Sequence, residues 1–187
     1  NQFLAHIREV DAISHVVRCF EHPDIVHVAG KVDPISDIET IDTELALADL
    51  DSVEKALNRA ERAAKAGDKD AIARRPVLQK VRDALDQGKP ARTVDLSAEE
   101  KLLLRDLFLL TLKPVMYVAN VREDGFESNP FLDAVRARAA TEGAEVVPVC
   151  ASIEEELGQL EDEDRAAFLA DMGLDEPGLN RVIRAGY

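Results

Sequence analysis

The sequence is poor in cysteine and aromatic residues, and it has no long apolar run. Its 187 residues include two cysteines, no tryptophan and 4% aromatic residues, and both Cys19 and Cys150 lie in apolar stretches. Such cysteines are typical of reduced core thiols and not of a disulfide or metal framework. No stretch approaches the roughly 20 apolar residues of a membrane span, so no membrane partner is expected. No secretory signal is recognisable either, and a cytoplasmic location is predicted.

Acidic residues dominate the composition, but the charge is unevenly distributed. The formal net charge is -14, whereas residues 59–82 carry eight basic residues against three acidic ones. That window therefore holds +5 and the rest of the chain −19. Asymmetry of this kind says more about a binding partner than the total charge does.

Hydrophobic periodicity predicts an α/β fold. Residues 12–20, 114–120 and 145–151 are rich in β-branched apolar residues and predict strands, and helical patterns alternate with them. Strands that alternate with helices predict a parallel sheet with right-handed crossovers.

A long helical insertion interrupts this alternation. Small and apolar residues recur every three or four positions from Ile38 through Ile41 to Ala60, which favours a coiled-coil seam. A break at Gly67 and a second helical stretch beyond it predict an antiparallel hairpin. The predicted domain organisation follows: residues 1–36 and 112–187 form one α/β domain, and residues 37–111 form the helical coiled-coil insertion.

Three polar residues are predicted to cap helices. Asp37 precedes the long helix, and Ser152 precedes a glutamate-rich one. Ser97 and Glu100 form a capping box for a helix over residues 98–110.

Two predicted strands end in polar residues. Asn120 to Glu123 follow one strand, and Cys150 to Ser152 follow the next. Ligands of open parallel sheets bind beyond the carboxyl ends of strands. The first segment offers side chains to the edge of a base, and the second offers backbone groups beside it. A plain turn after a strand is the alternative interpretation of Asn120 to Glu123.

Several segments, in order along the chain, resemble the YchF/Obg-like ATPase family. Lys113 to Phe126 resembles the family's base-recognition strand, and Pro148 to Ser152 its next base-contacting loop. Asn1 to Glu9 is similar to the second switch helix, and Asp33 to Leu50 to the root of the family's helical insertion. Leu174 to Tyr187 resembles the junction to a C-terminal domain, so the resemblance covers essentially the whole chain.

The resemblance implies a partial P-loop NTPase fold, ATP hydrolysis with ATP preferred over GTP, and a requirement for Mg²⁺. The sequence contains no G-x-x-x-x-G-K-[ST] loop to hold phosphates and Mg²⁺. The chain is therefore expected to be an internal piece of an NTPase, and to be inactive alone.

The segment at Asn120 departs from the Asn-Lys-x-Asp motif of related GTPases. Val121 replaces the lysine that packs over the base, and Glu123 is one methylene longer than the aspartate that binds guanine. Asn120 can still pair with N6 and N7 of adenine, which fits the ATP preference that the resemblance implies. The predicted nucleotide-binding residues are Asn120, Val121, Glu123, Cys150, Ala151 and Ser152.

The resemblance also implies that an apolar residue replaces the switch glutamine that orients water in GTPases. Another polar group must then do so, and His27 matches a family histidine implicated in hydrolysis. A histidine can accept or orient a water proton near neutral pH. The alternative is a loop histidine packed between Val26 and Val28.

The basic window has two interpretations. Lys65, Lys69, Arg74 and Arg75 fall at or near the tip of the predicted hairpin, where they can bind phosphates of RNA or the ribosome, with which the family is associated. The alternative is a solvated helical face. Because no aromatic residue interleaves these cations, stacking of single-stranded bases is not expected.

Two functions therefore compete. One is an ATP-hydrolysing, ribosome-associated factor that docks through its helical arm. The other is a non-enzymatic module whose hairpin binds a protein or RNA partner.

Overall fold

The computed structural model describes residues 2–21 and 31–187. The chain divides into two compact units, Asn1–Ile13 with Glu39–Pro114, and Ser14–Ile38 with Val115–Tyr187. None of the helices in the described ranges is both long and apolar enough to span a membrane. The helices are α1 (Gln2–Glu9), α2 (Pro34–Lys65), α3 (Lys69–Asp86), α4 (Ala98–Leu103), α5 (Pro130–Glu142), α6 (Ala151–Gln159), α7 (Asp162–Asp171) and α8 (Gly178–Gly186), and the strands are β1 (Ile13–Arg18), β2 (Val115–Asn120) and β3 (Val146–Val149).

Helices α2 and α3 form the predicted antiparallel pair in the first unit. Gly67 adopts a φ of 87° in the turn between them, a conformation that costs glycine little. Asp68 caps α3 by accepting the N–H of Ala71 at 3.0 Å. At the other end, a Cβ on Gly88 would lie 3.5 Å from the hydroxyl of Thr43, so the end of α3 runs beside the first part of α2.

The buried face of α2 includes Leu45, Ala56 and Ala60, which the predicted stripe also contained, but it differs from that stripe at Ile41. Ile41 is 40% exposed, so its assignment to the seam is wrong. The buried face of α2 passes instead through Asp42 and Asp49, which are 5% and 0% exposed. The apolar core of the unit includes Val53, Ala56, Leu57, Ala60, Val77, Leu78, Val81 and Leu85.

Asp49 is a buried carboxylate that ties α2 to the segment before β2. It accepts the backbone N–H groups of Leu110 and Thr111, each at 2.8 Å, and the hydroxyl of Thr111 at 2.6 Å. A guanidinium nitrogen of Arg8 lies 4.0 Å away. Burial raises the pKa of Asp49, while the hydrogen bonds from Thr111 and Leu110 and the charge of Arg8 lower it.

The capping box at Ser97 and Glu100 is confirmed, because each side chain accepts the other's backbone N–H at 3.1 Å. The helix that follows is shorter than predicted, since α4 ends at Leu103 and a 3₁₀ turn covers Arg105–Leu107. The N–H groups of Leu107 and Phe108 donate to carbonyls three residues back, and those of Leu110 and Thr111 donate to Asp49, so the helix does not continue to residue 110.

Two other helix starts differ from the prediction. Helix α2 begins before Asp37, at a turn in which Asp33 accepts the N–H of Ser36 at 3.1 Å. Helix α6 begins before Ser152, with Cys150 at the N-cap position. Asp37 and Ser152 therefore lie inside the first turns of their helices, where their predicted capping role is wrong.

The second unit is built on a parallel sheet, as predicted, and its strands lie in the order β1-β2-β3. Tyr117 to Asn120 pair with Val146 to Val149, and the N–H of Cys19 donates to the carbonyl of Asn120 at 2.8 Å. Tyr117 and Ala119 of the central strand are fully buried. All three strands consequently end near the same edge of the sheet.

Candidate nucleotide-base site

A cavity of about 590 Å³ lies at the carboxyl ends of β1 and β2, next to the first turn of α6. Parallel sheets bind ligands at this edge, and small-molecule sites typically measure about 300–1,000 Å³. The lining residues are Phe20, Asn120, Val121, Arg122, Glu123, Asp124, Ala151 and Ser152.

Five of the six predicted nucleotide-binding residues line this cavity together. The sixth, Cys150, is 2% exposed and belongs to the apolar core behind it. Its sulfur lies 3.2 Å from the hydroxyl of Ser152, so it supports the edge of the cavity without lining it.

The amide of Asn120 is held in one orientation. Its Oδ1 accepts the backbone N–H of Ala151 at 3.1 Å, a donor at the start of α6 that has no helical partner. The amino group of the Asn120 side chain is thereby the end presented to a ligand, while Oδ1 keeps a second lone pair. The side chain offers one donor and one remaining acceptor to the edge of a base.

Val121 contributes shape to the wall. It is 2% exposed, and its N–H donates to the carbonyl of Val149 at 2.8 Å. A residue held in this way cannot swing over a bound base. Glu123, by contrast, is exposed at the rim and can turn its carboxylate toward a ligand.

Phe20 is a lining residue that the sequence did not single out. The guanidinium of Arg18 lies 4.8 Å from the centre of the Phe20 ring, and Nε of Arg18 donates to the Phe20 carbonyl at 3.1 Å. These contacts fix the ring at the end of β1. The cavity therefore has an aromatic face beside the polar edge of Asn120. Its sequence signal was an aromatic residue at the end of the predicted strand over residues 12–20.

Asn129 is a buried residue that positions the rim from behind. Its Nδ2 donates to the carbonyls of Cys19 at 3.1 Å and Gly125 at 2.9 Å. Its Oδ1 accepts the N–H groups of Phe131 at 3.0 Å and Leu132 at 3.2 Å. One buried amide thus joins the end of β1, the turn after β2 and the start of α5, with its hydrogen-bonding groups used on both sides.

His27 lies outside the described residues, so its position stays a prediction. Within residues 2–21 and 31–187 there is no group of three or more side chains suited to hold a metal ion.

The predicted RNA-binding residues lie on α2 and α3 near their connecting turn. Lys65 ends α2, Lys69 begins α3, and both are exposed, as is Arg75. Arg74 differs, because it forms an ion pair with Asp106 at 2.7 Å and its side chain is 26% exposed. Three of the four predicted cations are therefore well placed to reach a polyanion.

No protein-family model matches the sequence. Among curated proteins, the ribosome-binding ATPase YchF of Haemophilus influenzae is 60% identical over all 187 residues, and that of Bacillus subtilis is 49% identical over 190 aligned positions. The chain spans about half the length of these relatives, 52% in each case. The solved structure of the Schizosaccharomyces pombe YchF GTPase matches with a TM-score of 0.86 and 32% identity, covering 100% of this chain and 52% of that one. Along its whole length, the chain therefore belongs to the YchF/Obg-like ATPase family.

Proposed function

We propose that the chain supplies the base-recognition part and the ribosome-docking arm of a cytoplasmic, ATP-hydrolysing YchF protein. The cavity that joins Asn120, Glu123 and the start of α6 is the main support for this function. The relatives named ribosome-binding ATPase YchF support the same function for the intact protein.

The geometry around Asn120 suits adenine better than guanine. The amino group of Asn120 can donate to N7, which both purines share. Its Oδ1 can accept a hydrogen from the adenine N6 amine, whereas guanine places an acceptor oxygen at that position. The N–H of Ala151 is not free to donate to that oxygen, because it already donates to Asn120. The ring of Phe20 offers a face on which the base can stack.

Phosphate binding requires groups that this sequence does not contain. The phosphate-binding loop and the Mg²⁺ ligands are proposed to come from the rest of the YchF protein, so the chain alone would not hydrolyse ATP. When bound, Mg²⁺ would neutralise charge on the phosphates. The residues of this chain bind and orient the base.

Replacing Asn120 with alanine in the full-length protein is expected to weaken ATP binding by about 1–3 kcal/mol, the scale of a lost base contact. Isothermal titration calorimetry with ATP and GTP measures the effect, and ATP affinity should fall more than GTP affinity. Asn180→Ala, at an exposed position on α8, is the matched control and should bind ATP like the parent. Equal ATP affinity in the Asn120 variant and the parent would reject the base site. A parent that binds no ATP would favour the non-enzymatic interaction module.

His27→Ala in the full-length protein is expected to slow ATP turnover by about tenfold or more while leaving ATP affinity nearly unchanged. The reason is that a water-orienting group acts on the chemical step and not on nucleotide binding. Single-turnover hydrolysis and calorimetry separate the two effects. His6→Ala, at an exposed position on α1, serves as the control. Unchanged turnover in the His27 variant would assign water orientation to another group.

A further inference from the structure

Phe108 combines a strained backbone with an exposed aromatic ring. Its φ of 48° and ψ of 50° lie in the left-handed region, which disfavours residues with a Cβ. Its side chain is nevertheless 62% exposed, so burial of the ring does not offset the strain. Residues with strained backbones of this kind cluster at active sites and ligand-binding sites.

The backbone of Phe108 is fixed from both sides. Its N–H donates to the carbonyl of Arg105 at 3.4 Å, and its own carbonyl accepts a guanidinium N–H of Arg8 at 3.2 Å. The next residues, Leu109 and Leu110, are 3% and 0% exposed. The ring is therefore largely exposed, on a backbone that is hydrogen-bonded at both its N–H and its carbonyl.

The turn that carries Phe108 lies against the basic hairpin. The 2.7 Å ion pair between Arg74 of α3 and Asp106 joins the two. Next to it is a cavity of about 270 Å³, and Nε of Arg74 is buried there without a hydrogen-bond partner in the described part of the chain. The cavity is lined by Ala56, Arg59, Ala60, Ala63, Asp68, Asp70, Ala71, Arg74, Asp106 and Leu107.

The chemistry of this region fits an unpaired nucleotide. Alanine side chains of both helices give the cavity apolar walls against which a base can lie. Carboxylates such as Asp68 and Asp70 can accept hydrogens from exocyclic amines of bases. The guanidinium groups of Arg59 and Arg74 can donate to phosphate or stack on a base. Arg105, which is exposed, adds a further cation next to the Phe108 turn.

We infer that Phe108 is a stacking platform for an unpaired base of RNA, whose neighbouring nucleotide occupies the adjacent cavity and whose backbone contacts the cations of the hairpin. The inference rests on the proposed ribosome partner and specifies how RNA is held. Aromatic stacking was not expected from the sequence, because residues 59–82 contain no aromatic residue. The fold nevertheless supplies an aromatic residue. Phe108 lies 26 positions after Arg82 in the sequence, and the contact of Arg74 with Asp106 brings the turn that carries Phe108 to the hairpin.

The test compares Phe108→Gly and Phe108→Trp with the parent, all as full-length protein. Fluorescence anisotropy measures binding of a short single-stranded RNA and of a duplex of the same length at two salt concentrations. Phe108→Gly should weaken binding of the single strand by about 5- to 150-fold, the effect of losing one stacked base. Phe108→Trp should restore it. Duplex binding and the salt dependence of both ligands should not change, because stacking neutralises no phosphate.

A structural role for Phe108 predicts a different pattern. Glycine relieves the backbone strain, so Phe108→Gly should melt at the same temperature as the parent or higher. Weaker single-strand binding by a variant of undiminished stability therefore supports stacking. Equal affinity of Phe108→Gly and parent for the single strand overturns it.

Co-sedimentation with ribosomes separates this inference from the proposed function. The inference is overturned if the parent sediments with ribosomes but binds no isolated RNA. It is also overturned if Phe108→Gly no longer sediments with ribosomes but still binds the isolated RNA. In either case the ring would contact a ribosomal protein. If the parent binds neither ribosomes nor RNA, both the proposed partner and the stacking site fail.

Discussion

Replacing Asp49 with alanine is expected to lower the free energy of unfolding by about 3–5 kcal/mol, the usual cost of removing one partner from a buried charged network. The carboxylate is fully buried and accepts three hydrogen bonds from Leu110 and Thr111. Alanine leaves both backbone N–H groups without an acceptor, and each such group costs about 1–3 kcal/mol. Arg8 also loses the opposite charge that lies 4.0 Å from it.

Thr111 extends the same network. Its hydroxyl donates to Asp49 and accepts the N–H of Ala91 at 2.9 Å, so the loss of Asp49 also frees the threonine hydroxyl to turn away from Ala91. Asp49→Asn keeps one acceptor oxygen but places an amino group against a donor. Its loss of stability should therefore fall between those of the alanine variant and the parent.

Asp51→Ala is the matched control. Asp51 belongs to the same helix, but it pairs with Lys55 at 2.7 Å in a bridge whose two side chains are both 68% exposed. Exposed pairs of this spacing contribute only about 0.3–0.5 kcal/mol. Urea unfolding followed by circular dichroism, which reports mainly on the helices, measures both variants. A loss for Asp49→Ala no greater than that for Asp51→Ala would show that water satisfies the freed N–H groups.

The sequence predicted the elements whose signals are local. The alternation of strands and helices and the break at Gly67 led to the parallel sheet and the antiparallel helix pair that the structure contains. The capping box at Ser97 has a fixed spacing and was correctly placed. Errors arose where a long-range contact overrides a local preference, as when Asp49 binds the N–H groups of Leu110 and Thr111 and helix α4 ends early.

Burial of charge was the least predictable feature of the hairpin. A hydrophobic pattern treats Ile41 as an interior residue and Asp49 as an exterior one, and the structure reverses both. The reason lies in Leu110 and Thr111, which follow Asp49 by 61 and 62 positions. Their buried backbone N–H groups need an acceptor inside the fold. Spacing within one helix carries no information about such a demand.

The candidate base site shows a similar division. Because the carboxyl ends of parallel strands meet at one edge of the sheet, the proximity of Asn120 to Ala151 and Ser152 could be predicted from the sequence. The sequence could not show that Oδ1 of Asn120 accepts the N–H of Ala151. It also could not show that Asn129 holds the rim through four hydrogen bonds. These roles depend on side-chain orientation, which follows from packing across three separate segments.

Replacing Lys65, Lys69 and Arg75 with alanine is expected to weaken ribosome binding on the order of 10²-fold at moderate salt and to flatten its salt dependence. Each phosphate contact contributes about 0.9 to the slope of log affinity against log salt for a duplex, so three lost contacts should reduce the slope by about 2.7. These three cations are exposed on either side of the turn, so each can contact a phosphate of RNA.

Arg74 is tested separately, because its pairing with Asp106 gives it a structural role that the other three cations lack. The control for the triple variant is Lys31, Lys89 and Arg136→Ala, which removes the same charge from exposed positions outside the basic window of residues 59–82. Co-sedimentation of full-length protein with ribosomes at two salt concentrations measures both triple variants. Because no phosphate contact is proposed for these three positions, the control should bind nearly as well as the parent. Equal losses of ribosome affinity in the two variants would show that only net charge matters. Unchanged ribosome affinity in both would show that the hairpin is a solvated surface whose cations do not bind RNA.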